Sequence, residues 1–568
     1  QKIGRMIAFF YLAVFYKITK PMIRILFLLI LIGLIDRQGL SQEKGVFSGA
    51  FETNANIFLR DSSINAISTP QYDHQFYGGE AWLNLNYKIQ GFTIGTRFDM
   101  YHNSNLRNPR DSYSGTGIGR WYIKKAINKL EISAGYLYDQ IGSGFIYRAF
   151  ETRPLFIDNA LYGVSLRYNF TDLWHIMAFS GKQKNAFDTY SGNLKGIRAE
   201  GFITLGSETS PLTLAPGIGF VGKTLSDEYM NGVIDVIRSY QDADRFKPSY
   251  NTYASTLYNT LSYKNFRLYT EVALKSKDVF FNPFAEKTEL VGSNTIGKLV
   301  AAKGSVFYGS LSFAQGKWGI TAEAKRTENF SFRVDPNLSL LRGLINYLTP
   351  LNKQNTYRLT ARYSPAAQDI SEMAYAIDVR YKFNKALSAN VNYSDIKTIK
   401  GERLFQEIFS EVIYKMKRKW QLTSGIQFVT YNQKIYETKA EVPLVKTVTP
   451  YVDFLYRFDP KKSLRTEFQY MSTKQDYGSW LFGLAEFNLA PNWSFEASGM
   501  YNIIPKKKNS KGELEKTLYP TLGIVFFNDA QRYSLRYVKQ VEGVVCSGGI
   551  CRLEPAFSGI RFAMNTTF

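Results

Sequence analysis

The chain has 568 residues, a formal net charge of +22, and 39 Tyr and 42 Phe, so that 15% of it is aromatic; its mean hydropathy is −0.22. Length alone suggests several soluble domains, but one closed sheet absorbs hundreds of residues, and a Tyr-rich chain of modest hydropathy fits strands with one wet and one apolar face. The basic residues are spread over many short segments, with no Arg-rich helix and no zinc-finger spacing, which argues against a nucleic-acid partner.

The first 41 residues read as an export region. Ile25–Ile35 is an unbroken apolar run, too short to span a bilayer as a helix, which needs about 20 residues. Arg24 precedes it, and Gly39-Leu40-Ser41 supplies small residues for signal peptidase. We expect an upstream extension over 1–21, a signal peptide over 22–41 starting at Met22, and cleavage after Ser41. An uncleaved anchor that also used Met6–Tyr16 would be interrupted by Lys17, Lys20 and Pro21. No later segment approaches 18 apolar residues, and an exported chain without such a helix is integral to a membrane only as a closed barrel.

Residues 42–568 carry the pattern of such a barrel, in which alternate side chains face lipid and lumen. Ala81, Leu83, Leu85, Tyr87 and Ile89 alternate with Trp82, Asn84, Asn86 and Lys88; Gln90-Gly91 turns the chain, and Phe92, Ile94, Thr96 and Phe98 resume the apolar face. The same alternation recurs over 162–170, 266–275, 464–470 and 532–537. Eleven short turns are expected, at 90–91, 126–129, 171–172, 207–210, 264–265, 316–317, 384–386, 417–419, 459–462, 490–492 and 528–530. Longer polar connections, such as 183–194, 225–249 and 277–302, lie between them. Eleven hairpins with an entering strand at 46–59 and a closing strand at 552–568 predict an all-β, antiparallel transmembrane barrel of about 24 strands, within 22–26. Residues 328–371 fit poorly: Asn355–Tyr363 looks strand-like, yet the turn arithmetic leaves it without a partner. It is either part of a long folded loop or a sign that the count is off by two.

The last strand has its own signature. Counting back from Phe568, Thr566, Met564, Phe562 and Ile560 form an alternating set. An apolar dyad strand with a terminal aromatic resembles the signal read by the outer-membrane assembly machinery, so Phe562, Met564 and Phe568 are the expected assembly residues. Cys546 and Cys551, the two cysteines, flank a Gly-rich turn and are expected to form a local disulfide; a metal half-site would want further ligands close by. No metal and no cofactor are expected.

Catalysis has little to work with. There are three His, His74, His102 and His175, and neither Gly-x-Ser-x-Gly nor His-Glu-x-x-His occurs; a non-enzyme is expected. The most distinctive stretch is 139–163, which combines Gly142 and Gly144 with Arg148, Glu151, Arg153, Asp158 and Asn159. These are the candidate pore-constriction residues, pairing across a narrow passage on an in-folded loop. Ordinary ion pairs on an external loop are the equal alternative.

At Gly142-Ser143-Gly144, Arg148, Glu151, Arg153, Asp158-Asn159 and Gly163, and again over Leu351–Tyr357, the chain resembles a family of uncharacterised outer-membrane barrels from Bacteroidota. The resemblance implies the barrel and a place in the bacterial outer membrane, and no activity. Three functions remain to be weighed. A porin-like channel with a net-basic lumen would prefer anions. A non-conducting barrel would act as a scaffold or accessory subunit, its partners being membrane lipid, the assembly machinery and other envelope proteins; an occluding 328–371 loop would favour it. A TonB-dependent transporter needs a plug domain, and strand patterning that starts about five residues after the expected cleavage site leaves no room for one.

Overall fold

The computed structural model describes residues 45–568 apart from 291, 293, 339–341, 368–370, 507–513, 515 and 548–549. The expected extension and signal peptide over 1–41 lie outside the described residues. No helix among the described residues is long and apolar enough to cross a membrane.

One antiparallel sheet of 25 strand segments makes the fold; Asp188–Gly201 and Ile203–Leu205 are a single strand broken at Phe202, so the barrel has 24 strands. The first strand, Val46–Phe58, pairs with the second, Tyr77–Ile89, and also with the last, Phe557–Thr567, in a register running from Ala50 opposite Thr567 to Phe58 opposite Gly559. Closure leaves no strand edge unpaired.

All eleven expected short turns are strand-to-strand links, within a residue or two of their expected bounds. Because successive strands run antiparallel, these links gather at one end of the barrel. The link at 90–91 shows the local cause: Gln90 and Gly91 take φ of 46° and 75°, the mirror-image turn whose twist matches the flanking strands.

The other end differs from expectation. Connection 225–249 holds a helix, Asp227–Arg238, whose N-cap Ser226 Oγ accepts from the Tyr229 N–H at 3.3 Å. Residues 183–194 are mostly strand, with Trp174–Asn185 and Asp188–Gly201 joined through Ala186 and Phe187. Residues 277–302 form the outer part of a hairpin whose strands, Phe266–Thr288 and Asn294–Gln315, are 23 and 22 residues long. Register shifts between Lys275 and Asp278 and between Asn282 and Glu286 break the alternation there, which is why the sequence reads as a polar loop. The helix packs Val233 and Ile237, and the Tyr240 that follows it, on Val279 and Leu299 of this hairpin. The closing strand is shorter than expected, since Gly543–Ser547 and Ile550–Glu554 form a separate hairpin before it.

The two faces of the wall are the reverse of a soluble sheet. Leu268, Val272 and Leu274 are exposed, whereas Glu271, Ala273 and Lys275, on the opposite phase of the strand, are buried; Ile408 and Val412 are exposed, whereas Phe405, Glu407 and Phe409 are buried. Inward side chains near the long connections are sealed, Lys325 and Glu407 at 2% and 0% exposure. Those near the short turns meet solvent: the Arg380 side chain is 73% exposed. The lumen is therefore filled in one half and open in the other.

Candidate functional site

The filled half is occupied by two connections, 138–160 and 329–371. The longer one meets the wall at distant points of its circumference. Gln183 Nε2, on the seventh strand, donates to Leu344 O at 2.5 Å, and Lys325 Nζ, on the thirteenth, donates to Thr349 O at 2.5 Å. Asn355 Nδ2 donates to Glu407 Oε1 at 2.7 Å, and Tyr357 OH to Asp453 Oδ2 at 3.2 Å. Only a chain lying across the lumen reaches inward side chains so far apart.

The strand-like stretch Asn355–Tyr363 is part of this inner segment and pairs with no strand. Its backbone is satisfied by wall side chains instead: Leu359 N–H donates to Gln469 Oε1 at 2.7 Å, and Thr360 O accepts from Gln427 Nε2 at 2.9 Å. Its apolar set then fills the interior, where Leu359 and Tyr363 join a cluster with Met471, Trp480, Tyr519, Val538 and Phe557. Phe330, Phe332, Val334 and Ile345 do the same with Ile141, Phe145 and Ile146 of the shorter connection. Full burial of each such side chain is worth about 1.5–3 kcal/mol, which holds the segments inward.

The shorter connection carries every expected constriction residue. Its Gly142-Ser143-Gly144 turn wraps a wall carboxylate. Glu271 Oε2 accepts from Ser143 N–H at 2.9 Å, from Ser143 Oγ and from Tyr269 OH at 2.6 Å, while Oε1 accepts from Thr256 Oγ1 at 2.9 Å. Gly142 has φ +55°, and a Cβ there would stand 2.5 Å from Glu271 Oε1; this turn needs glycine.

The five constriction residues do not form one ring across a passage; each binds the wall or the other segment. Glu151 meets Arg97 at 2.5 Å, and Arg97 also holds Asp99 at 2.6 Å and Asp158 at 3.4 Å. Asp158 is further bound by Lys184 and accepts from Tyr138 OH at 2.8 Å. Arg153 pairs with Glu52 of the first strand at 2.9 Å. Arg148 lies over the Tyr347 ring, Cζ 4.5 Å from its centre, and its N–H donates to Ile345 O at 2.9 Å. Asn159 Nδ2 donates to Arg148 O and to Leu344 O, each at 3.1 Å, which ties the two inner segments together. Burial pushes the Glu151 carboxyl up, with Arg97 opposing and Asp158 adding to it. The wall partners Arg97, Glu52, Lys184 and Glu271 were missed as site residues. Their only sequence signal was a charge on the inward phase of a strand.

Above segment 329–371, at the long-connection end, opens a cavity of about 1160 Å³. Among the described residues it is lined by Arg333, Arg362, Lys400, Lys439 and Arg552 and by Glu328, Glu402, Glu437, Asp476 and Glu542. The charges balance, so the chain's basic excess does not reside in this vestibule. On its floor Asp476 accepts from Tyr363 OH at 2.8 Å and pairs with Lys439 at 3.1 Å. Burial pushes the Asp476 carboxyl up, but Lys439 and Arg362 outweigh it and hold it below the usual carboxylate range. No cluster of three or more His, Cys, Asp or Glu that could hold a metal ion occurs among the described residues.

Cys546 and Cys551 stand opposite each other in the hairpin register, their side chains lying outside the described residues. At the barrel seam, Phe568 N–H donates to Gly49 O at 3.0 Å, and Gly49 N–H to Phe568 O at 2.8 Å. Phe568 and Phe562 are exposed on the outer surface, and Met564 is half-buried.

A family model described as a family of unknown function (DUF6029) matches residues 19–568. No curated protein matches the chain at a significant level. Among solved structures, the chain is similar to the ferric-catecholate import receptor Fiu from E. coli, at 9% identity and TM-score 0.38, covering 93% of this chain and 82% of that one. A variant of the ferric enterobactin receptor PfeA from Pseudomonas aeruginosa is similar at 8% identity and TM-score 0.41, covering 93% and 81%. The translocation pore of the P pilus usher PapC is similar at 9% identity and TM-score 0.40, covering 92% and 99%.

Proposed function

The chain belongs to the family of unknown function DUF6029, and from its geometry we propose that it is a porin-like barrel of the bacterial outer membrane whose channel is closed at rest by segment 329–371. Placement in a membrane is supported by the exposed apolar outer face and the buried polar inner face. The resemblance at 139–163 supports a Bacteroidota envelope as its setting. The exposed Phe562 and Phe568 on the closing strand suit recognition by the assembly machinery. No catalysis is assigned: His175, for example, sits against Glu200 at 2.9 Å on the wall, as a structural pair does.

The observation that carries the reading is the set of hydrogen bonds from segment 329–371 to inward side chains of the seventh, thirteenth and sixteenth to nineteenth strands. A lumen so spanned passes little, and an opened lumen would favour anions, as the chain's basic balance implies. In a planar bilayer the refolded chain is expected to be nearly silent. A variant with 331–364 replaced by a short Gly-Ser link is expected to conduct steadily, with a reversal potential under a salt gradient that marks anions as the main carriers. A wild-type chain that conducts like this variant would overturn the closed state.

The same occlusion favours a second reading, a non-conducting accessory barrel whose long connections dock other envelope proteins. In that case the opened variant conducts as above, but crosslinking in intact cells captures the wild-type chain in a defined complex.

A further inference from the structure

Cations on the inner wall are balanced by carboxylates almost wherever they occur. Arg97 holds Asp99, Glu151 and Asp158; Arg465 lies among Asp453, Glu467 and Glu486; Lys223 and Lys275 share Asp278. A row near the barrel seam is balanced less fully. Asn56, Arg561, Arg536, Gly523 and Glu496 are successive cross-strand neighbours in a single row over five strands. Leu535, Tyr537 and Phe562 beside them are exposed on the outer surface, so the two arginines point into the lumen, directly opposite each other.

Like charges in directly opposed positions destabilise a strand pair. Glu496 offsets part of this, pairing with Arg536 at 3.1 Å. Arg561 lies over the Phe557 ring, Cζ 3.9 Å from its centre, and makes no ion pair among the described residues. Of the two carboxylates whose fields it shares, Glu554 is held by Arg552, and Glu80 is buried and accepts from Ser104 Oγ. A third arginine, Arg358, stands on the inner segment next to Leu359, which shares a cluster with Val538 and Phe557. Burial, then the positive fields of Arg362 and Arg561, pull the Arg358 guanidinium below its usual range. Two guanidinium groups thus face each other across neighbouring strands, with one ion pair, that of Arg536 with Glu496, between them and the described carboxylates. The Arg536 side chain is 38% exposed, so water in the open half of the lumen reaches the row. Gly523 leaves room beside it, since a Cβ there would stand 2.9 Å from Arg536 Cγ.

We propose that Arg536 and Arg561 form an oxyanion site in the middle of the lumen, binding a phosphate or carboxylate group of a solute that enters from the short-turn end. Planar guanidinium groups suit bidentate contacts to such oxygens, and a bound anion removes the repulsion that the row otherwise carries. The site deepens the anion preference proposed above and rests on that reading.

The test is isothermal titration of the full, folded chain in detergent with inorganic phosphate and, separately, citrate, at constant ionic strength set by chloride. Saturable binding of at least one probe is expected, weakened tenfold or more in Arg561→Gln and in Arg536→Gln and unchanged in Arg380→Gln at the short-turn rim. Without probe, Arg561→Gln is expected to melt at a higher temperature than wild type, and the probe should close that gap. Folded wild-type protein that binds neither probe, binding that survives Arg561→Gln with Arg536→Gln, or stabilisation matched by chloride alone would overturn the site. Calorimetry reads the site whether or not the barrel conducts. A conducting wild-type chain that binds phosphate refutes the closed state and keeps the site; a silent chain that binds neither probe does the reverse.

Discussion

Glu271 is fully buried on the inner wall and spends its carboxylate on Ser143, Thr256 and Tyr269, which makes it the anchor of the 138–160 connection. Glu271→Ala removes charge-assisted hydrogen bonds and leaves buried donors unpaired, a loss of about 2–3 kcal/mol. Gly142→Ala puts a Cβ against the same carboxylate at a positive φ and should cost a similar amount. Both variants are expected to show earlier unfolding in urea and faster proteolysis within 138–160; unchanged cleavage there would mean that the loop is held elsewhere. Asp476 gives a prediction in pH. Its folded carboxyl lies below its ordinary value, so its contribution is present above the unfolded value of about 3.9 and is lost as pH falls through the folded one. Asp476→Asn should therefore lower the melting temperature at pH 6 and converge with wild type below about pH 4. At this scale the sequence was only half legible. It singled out Gly142, Gly144 and the charges of 139–163, because mixed charge and glycine stand out locally. Their partners Glu271, Arg97 and Glu52 come from 128, 54 and 101 residues away, and no local pattern announces such a meeting.

Elements set by local chemistry were read well. A hairpin turn needs positive φ over two or three residues, and the dyad alternation on either side fixes which face is apolar. Hence all eleven short turns fall where expected. The misreadings share another cause. Over 277–302 the strands outrun the regular alternation through two register shifts, and over 355–363 an alternating sequence serves a segment that touches wall on several sides. Period-two patterning reports burial on alternate sides, and an inner segment has that without a neighbouring strand. The hairpin Gly543–Ser547 with Ile550–Glu554 offers a direct check at this level. Cys546 opposite Cys551 predicts a disulfide that blocks alkylation until reductant is added, read as a mass shift. Because the loop it closes is short, Cys546→Ser with Cys551→Ser should cost about 2 kcal/mol at most.

For the whole molecule, the decisive feature is where apolar side chains go. The outer surface carries exposed Leu, Val, Ile and Phe, while a second apolar set, drawn from two connections, fills half of the lumen. A 24-strand wall encloses more space than its own side chains can fill, so the chain folds part of itself inward, leaving a charge-balanced vestibule on one side and an open, arginine-bearing lumen on the other. The sequence showed the barrel because closure repeats the same short signal two dozen times. It could not show which side of the wall 328–371 takes, since a lumen and an external surface offer that segment the same residue types. The most direct test places single cysteines at Leu359→Cys and Gln469→Cys, with Cys546 and Cys551 replaced by Ser, and treats the folded protein with a short thiol-to-thiol crosslinker. An intramolecular link between the two positions, seen by mass spectrometry and abolished when the protein is first unfolded, is the predicted result. A folded barrel in which these positions never link, while a control pair at the facing wall residues Gln427 and Thr449 does, would contradict a lumen-spanning 329–371 segment.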